Sequence, residues 1–463
     1  MLFNSLEFAL FLPLTLLIYH LAIPRRHWRA RKIFLVVASY VFYMSWNPFF
    51  GLLLLGSTLV DFTMGLALER AGGRVGRRAL LLVSLAFNLG MLGYFKYGSF
   101  VAQNVYGFLG RPDPPLWDVL LPVGISFYTF ESLAYTINVY RGERASRSLL
   151  DFALFLSFFP HLVAGPIVRP RAFLPQLVAP TAIAGSEVEL ALARIAQGFL
   201  KKVLLADVLG QYVDAVWKDL AYYPTGNVLL AFYAYAFQIY FDFSGYTDIA
   251  LGVSRLFGFK LPENFDRPYL AQSPREFWQR WHISLSTWLR DYLYVSLGGN
   301  RGSRVRTYVN LLLTMVLGGL WHGAAWTFVV WGAYHGVLLA GHRLLADRRA
   351  AAARSPLATL LAQIGTFHLV VLGWVFFRAP SLADAMAALG RLAAPGWITT
   401  RNATEAAILV AGALLLHRAP QAQRLQERFV RLSPVAQGIL YATASVTAFF
   451  VAPASERFIY FQF

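Results

Sequence analysis

Trp321-His322-Gly323 lies inside an apolar stretch that runs from about Tyr308 to Leu345. A stretch of that length predicts membrane-spanning helices. An ionisable side chain at bilayer depth is costly, so it marks a functional site by default. Imidazole is the side chain that titrates nearest neutrality, and it can take and return a proton there. The plainer alternative is a helix-packing histidine whose nitrogens are satisfied by neighbours.

The rest of the chain has the same character. Its 463 residues are 57% hydrophobic and 14% charged, whereas soluble domains carry about 25% charged residues. With 12 Trp and 23 Tyr, aromatic residues suffice for belts at both membrane interfaces. No long polar segment separates the apolar runs, so residues 1–463 are expected to form a single membrane domain, with its catalytic core at about 117–345. The net charge of +17 comes from Arg clusters in short loops, which is the positive-inside pattern. Contact with anionic headgroups accounts for it, and nucleic acid is not expected as a partner. Cysteine is absent, which excludes disulfides, Cys-ligated zinc, iron–sulfur clusters and an acyl-cysteine intermediate. The first apolar run, Leu6 to Ile23, has no basic region before it and no small-residue cleavage site after it, and it predicts a retained helix.

Thirteen apolar runs, several interrupted by Gly or Pro, predict about ten to twelve crossings plus re-entrant and amphipathic helices. Arg25, Arg26, Arg29, Arg31 and Lys32 place the first loop in the cytoplasm, and the amino terminus outside. Arg70, Arg74, Arg77 and Arg78, then Arg141, Arg144 and Arg147, then Arg343, Arg348, Arg349 and Arg354 mark later cytoplasmic loops. Pro274 to Leu297 predicts one amphipathic helix. Ser273 is its N-cap and Pro274 its first turn, and Phe277, Trp281, Leu285, Leu289 and Leu293 recur every four residues. His282 rides at the border of that stripe.

Four motifs carry the functional argument. Phe158-Phe159-Pro160-His161 followed by Leu162-Val163-Ala164-Gly165-Pro166 predicts a broken helix. Phe241-Asp242-Phe243-Ser244-Gly245-Tyr246-Thr247-Asp248 puts two acids in a lipid-type helix. They are expected either to wall a substrate path or to join a structural network with Arg280, Arg290 or a histidine. Pro262-Glu263-Asn264-Phe265-Asp266-Arg267-Pro268-Tyr269 precedes Arg280-Trp281-His282, and Gly318-Gly319-Leu320 precedes Trp321-His322-Gly323. The glycines beside His322 allow close backbone approach. His20, His27, His342 and His417 fall at loop edges, His368 reads as packing, and His335 is intermediate. No metal-ligand spacing, phosphate loop or nucleophile elbow is present, so neither a metal nor a resident cofactor is predicted.

Taken together these blocks resemble the membrane-bound O-acyltransferase family, in its bacterial branch that includes alginate O-acetyltransferases and the D-alanyl transferase of teichoic acids. The opening Met1-Leu2-Phe3-Asn4-Ser5 and the ending Phe458-Ile459-Tyr460-Phe461-Gln462-Phe463 are similar to the alginate type. The resemblance implies an all-α protein, a ring of tilted transmembrane helices around a central funnel. It implies His322 as the catalytic histidine and His282 as a second, more variable site position. Trp321, Trp281, Asn264, Asp242 and Asp248 are the candidate substrate-binding residues. The implied donor is a cytoplasmic acyl thioester, acetyl-CoA for the alginate type. The implied partners are periplasmic acetyltransferase proteins that modify an exopolysaccharide, and the implied place is the bacterial inner membrane. Alginate, cellulose, peptidoglycan and another glycan remain open as acceptors. A proton-coupled transporter using Asp242, Asp248, His161 and His322 as a relay is the competing class.

Overall fold

The structure is a computed structural model, and it describes residues 1–111, 119–346, 355–394, 401–418, 422–451 and 459. Arg348, Arg349 and Arg354 of the expected cytoplasmic loop lie outside the described residues, as does the terminal block apart from Ile459. The described residues form helices joined by turns and loops, with no strand among them. Among the described residues, three helices are long and apolar enough to cross a membrane by length and composition: Pro48–Arg70, Arg74–Phe108 and Pro356–Arg378. Other apolar runs are divided. Leu190 to Val216, for example, becomes Gly185–Leu200, a π-helical segment Lys201–Ala206, and Asp207–Lys218.

The chain divides into two compact units, Met1–Leu192 with Ile249–Pro262, and Ala193–Asp248 with Glu263–Phe463. In the first, Pro48–Arg70 packs with Arg74–Leu92 and Ile125–Tyr140 around a polar centre. Asp61 is fully buried there. Its carboxylate accepts from Ser84 Oγ at 2.5 Å, Asn88 Nδ2 at 2.8 Å, Thr136 Oγ1 at 3.2 Å and Ser132 Oγ. Donors from two neighbouring helices thus share one acceptor, which meets the demand that buried polar groups be paired. The expected break at Phe158–Pro166 is present: Leu149–Ser157 stops, and one turn, Phe159–Leu162, follows. Gly165 lies so close over His161 Cα that a Cβ would overlap it. His161 is fully buried and pairs with the Phe155 carbonyl at 3.0 Å, so here it serves the helix break.

Several basic residues counted as loop charges also cap helices. Arg31 donates to the Ile23 carbonyl at 2.7 and 2.9 Å, closing the end of the first helical run. Arg77 reaches the carbonyls of Leu68, Val139 and Tyr140. Helix C-termini leave carbonyls without partners, and guanidinium forks satisfy them. Lys32 is buried on Asp151 at 2.5 Å.

The second unit is organised by a helical hairpin, Arg304–His322 and Trp326–Ala346. A Cβ on Gly332 would overlap the Met315 carbonyl oxygen, and one on Gly319 the Phe328 carbonyl oxygen. On Gly336 it would lie 2.9 Å from Leu312 Cδ1. Lipid offers helices no hydrophobic drive to associate, so such close backbone packing supplies the attraction. Gly341, on the same helix, has open space beside it. The Gly332→Ala variant is therefore expected to lose about 1–3 kcal/mol through overpacking, while Gly341→Ala stays neutral or gains slightly through helix propensity. Thermal unfolding of both variants in detergent checks this, and equal melting temperatures would contradict the packing argument.

Candidate active site

His322 is the last residue of its hairpin helix, and it is 5% exposed. The helix stops there because Gly323 is extended, with φ near −158°. A side chain at Gly323 would run into the Phe328 ring. The tight turn then returns the chain at Trp326, and the backbone near His322 is fixed from both sides. Its ring is set among other rings: Trp321 at 5.0 Å, Trp331 at 5.1 Å edge-on, and Phe377 at 5.2 Å. His282 comes within 6.4 Å of it, centroid to centroid, and within 6.0 Å of Trp321. The two histidines expected at the site are thus brought together from positions forty residues apart.

His282 owes its place to a break in the expected amphipathic helix. The capping at its start is as expected: Ser273 Oγ accepts from Glu276 N, and Glu276 returns to Gln272 N at 2.8 Å. But the helix ends at Arg280. His282 takes a left-handed conformation, φ 42° and ψ 56°, and a new helix, Ile283–Trp288, begins. A π-helical segment, Leu289–Tyr294, completes the stretch. No Gly or Pro marks this break. Asn264 imposes it from outside: its carbonyl accepts from Ile283 N at 3.0 Å, and its Oδ1 accepts from Ser284 N at 3.2 Å. A second backbone link, Asp266 N to the Arg280 carbonyl at 2.9 Å, ties the same loop to the other side of the break. Left-handed geometry on a side-chain-bearing residue costs about 1–3 kcal/mol and gathers at functional sites. The His282 ring is fully buried, edge-on to Phe243 at 4.6 Å.

The other candidates sort into three groups. Trp321 lies beside both histidines, at 5.0 Å from His322 and 6.0 Å from His282. Trp281 faces the neighbouring aromatic packing, with Trp374 at 4.9 Å, Phe265 at 5.1 Å and Phe277 stacked at 5.7 Å. Asn264 acts on the backbone, as described, and its Nδ2 finds no hydrogen-bond partner among the described residues. The two acids belong to ion networks. Asp242 pairs with Lys202 Nζ at 2.7 Å and accepts from Ile459 N at 2.8 Å. Lys202 also holds Asp207 at 2.7 Å. Asp248 pairs with Lys201 Nζ at 2.6 Å and Arg194 Nε at 3.1 Å, and Arg194 in turn grips Glu263. The expected partners were different: Arg280 pairs with Glu276, and Arg290 with Asp291. Consecutive lysines serve both acids because the π-helical segment Lys201–Ala206 carries them past the Thr225–Leu256 helix. Among the described residues no three His, Asp or Glu side chains gather as a metal site.

Sequence reasoning missed the roles of Trp331 and Phe377, whose rings meet His322, and of Trp374, which packs against both of them. It placed His417 at a loop edge, whereas that side chain is 4% exposed. The His417 Nε2 accepts from Tyr269 N at 3.1 Å, and its ring meets Tyr240 at 4.8 Å. His417 does lie at the end of its helix, Arg401–Arg418, as expected, and packing against Tyr240 and Tyr269 buries it there.

His322, at the end of a glycine-packed hairpin helix, and His282 thus form a buried imidazole pair in an apolar helical protein. Residues 76–372 match the MBOAT, membrane-bound O-acyltransferase family, and the chain belongs to that family. It is therefore a membrane-embedded acyltransferase. Among its relatives is the "Probable alginate O-acetylase AlgI" of Pseudomonas aeruginosa, 46% identical over 391 residues, spanning 83% of this chain and 73% of that protein. The "Peptidoglycan O-acetyltransferase" of Helicobacter pylori is 36% identical over 388 residues, 77% of this chain and 73% of its own. The "Teichoic acid D-alanyltransferase" of Bacillus subtilis is 30% identical over 294 residues, 59% and 73% respectively.

Removing the Asn264 side chain tests the local construction. In Asn264→Ala the Ser284 N–H loses its acceptor, which costs about 1–3 kcal/mol in a buried setting. The variant is expected to melt lower and to be cut faster by protease near residue 282. Wild-type melting and cleavage would show that Asn264 does not hold this turn.

Proposed function

We propose that the protein moves an acetyl group from a cytoplasmic thioester, acetyl-CoA, across the membrane for O-acetylation of a periplasmic exopolysaccharide, with His322 as general base. The observation that carries this reading is the burial of His322 within 6.4 Å of His282, at a helix end where the backbone is fixed. An acceptor hydroxyl becomes nucleophilic as it passes its proton to a neutral imidazole. Its oxygen then bonds to the thioester carbonyl carbon. The resulting oxyanion needs donors, and Trp321 Nε1, His282 and backbone N–H groups at the helix break are the candidates. Collapse breaks the C–S bond, and the proton held by His322 passes to sulfur, releasing the thiol. General-base catalysis of this kind contributes about 10²–10⁴-fold.

The relatives support acyl transfer to an extracellular polymer, since their names specify alginate, peptidoglycan and teichoic acid. Alginate leads because the alginate O-acetylases are 44–46% identical to this chain, against 36% for the peptidoglycan O-acetyltransferase. In this reading the protein sits in the inner membrane with its amino terminus on the outer face, and hands the acetyl group to periplasmic acetyltransferase partners. Trp281 and Asn264 shape the substrate path, while Asp242 and Asp248 hold the elements that line it. The networks around these two acids favour this over a transporter relay, because each carboxylate is already paired with lysine.

His322→Ala is expected to abolish ester formation on the secreted polymer while membrane abundance stays normal. Mass spectrometry of the polymer from a complemented deletion strain measures the first, and blotting of membranes the second. Wild-type acetylation by the variant would remove His322 from the mechanism, and loss of esters on a polymer other than alginate would reassign the acceptor.

A further inference from the structure

One more buried histidine stands beside the site. His335 lies on the Trp326–Ala346 helix, 1% exposed, and neither of its ring nitrogens has a hydrogen-bond partner among the described residues. Its ring is tilted edge-on to Trp331 at 4.9 Å and 65°, and to Trp278 at 5.2 Å and 85°. Phe277 stacks on it at 6.2 Å. Gly373, on the Pro356–Arg378 helix, makes room for the ring, since a Cβ there would lie 2.9 Å from His335 Nε2. Trp331 carries the contact onward, edge-on to His322 at 5.1 Å. It is braced behind by Trp374, stacked at 5.8 Å, and by Phe377 at 5.2 Å.

A packing role alone does not account for this residue. Each buried polar group without a partner costs about 1–3 kcal/mol. Phenylalanine would fill a similar volume without that cost. An imidazole can add a weak N–H–π attraction to a T-shaped contact with an indole, which a benzene ring lacks, and His335 is T-shaped to two indoles. We propose that His335 is a positioning residue for acyl transfer: it sets the tilt of Trp331, and Trp331 holds the plane of the His322 ring. The proposal rests on the reading of His322 as general base. In this proposal His335 acts through Trp331 and not on a reactant.

The test measures kcat and KM for acetyl-CoA, together with melting temperature, for purified wild type, H335F, W331F, the H335F/W331F double variant and H322A. H335F is expected to melt at or above wild type, because two unpaired nitrogens are gone. Its KM should change less than about two-fold while kcat falls about ten-fold, the size of a 1.36 kcal/mol loss in transition-state stabilisation. The double variant should be no slower than W331F, since His335 acts through that indole. Wild-type kcat in H335F, or losses that multiply in the double variant, would overturn the proposal. An inactive H322A beside a fully active H335F would refute this inference alone. Turnover by H322A would remove the base reading, and this inference with it.

Discussion

The backbone contact between the Arg304–His322 and Trp326–Ala346 helices is the constraint on which the site depends. Where Gly332 meets the Met315 carbonyl and Gly319 meets the Phe328 carbonyl, no side chain can intervene. That contact fixes where the first helix must stop, and its last residue is His322. In lipid, close packing is the main route to helix association, so the stability of the hairpin and the placement of the imidazole have one origin. The aromatic rings around His322 then limit its rotation. Trp331 belongs to the second helix of the hairpin, and Phe377 to the following Pro356–Arg378 helix.

His282 is placed by a different device. Asn264 captures the backbone just after it, and the chain accepts a left-handed residue in return. The strain at His282 is held by a loop that over-determines it, and that loop carries a second left-handed residue, Arg267. A continuous helix through this point would carry the His282 ring along the amphipathic stripe, past the ring of Phe243 on which it now rests. Two local arrangements, one made of glycine contacts and one made of a side-chain clamp, therefore bring two imidazoles within 6.4 Å of each other, centroid to centroid.

Much of this was legible in the sequence. The apolar runs and Arg-rich loops indicated helices in a membrane, and an intramembrane histidine flanked by glycine pointed to His322. What the glycines at 318, 319 and 323 did not reveal was their counterpart, Gly332 and Gly336 on the next helix, because partners in a hairpin carry no mutual signal along one chain. The break at His282 was hidden for a related reason. The four-residue apolar stripe runs through it without Gly or Pro, and its cause lies at Asn264, eighteen residues earlier. The partners of Asp242 and Asp248 were concealed because Lys201 and Lys202 sit in an apolar run, where a π-helical segment redirects them. The Trp331, Trp374 and Phe377 rings drew no notice, since aromatic residues are common in such helices.

Within the acyltransferase family, the account makes His322 the point where two substrates meet. A structure of the purified protein with a non-reactive acetyl thioester analogue and an oligosaccharide acceptor tests this most directly. The account predicts an imidazole nitrogen of His322 within about 2.6–3.2 Å of the acceptor hydroxyl, with the thioester carbonyl alongside. Both ligands bound elsewhere, with the His322 ring still enclosed by Trp321, Trp331 and Phe377, would contradict it.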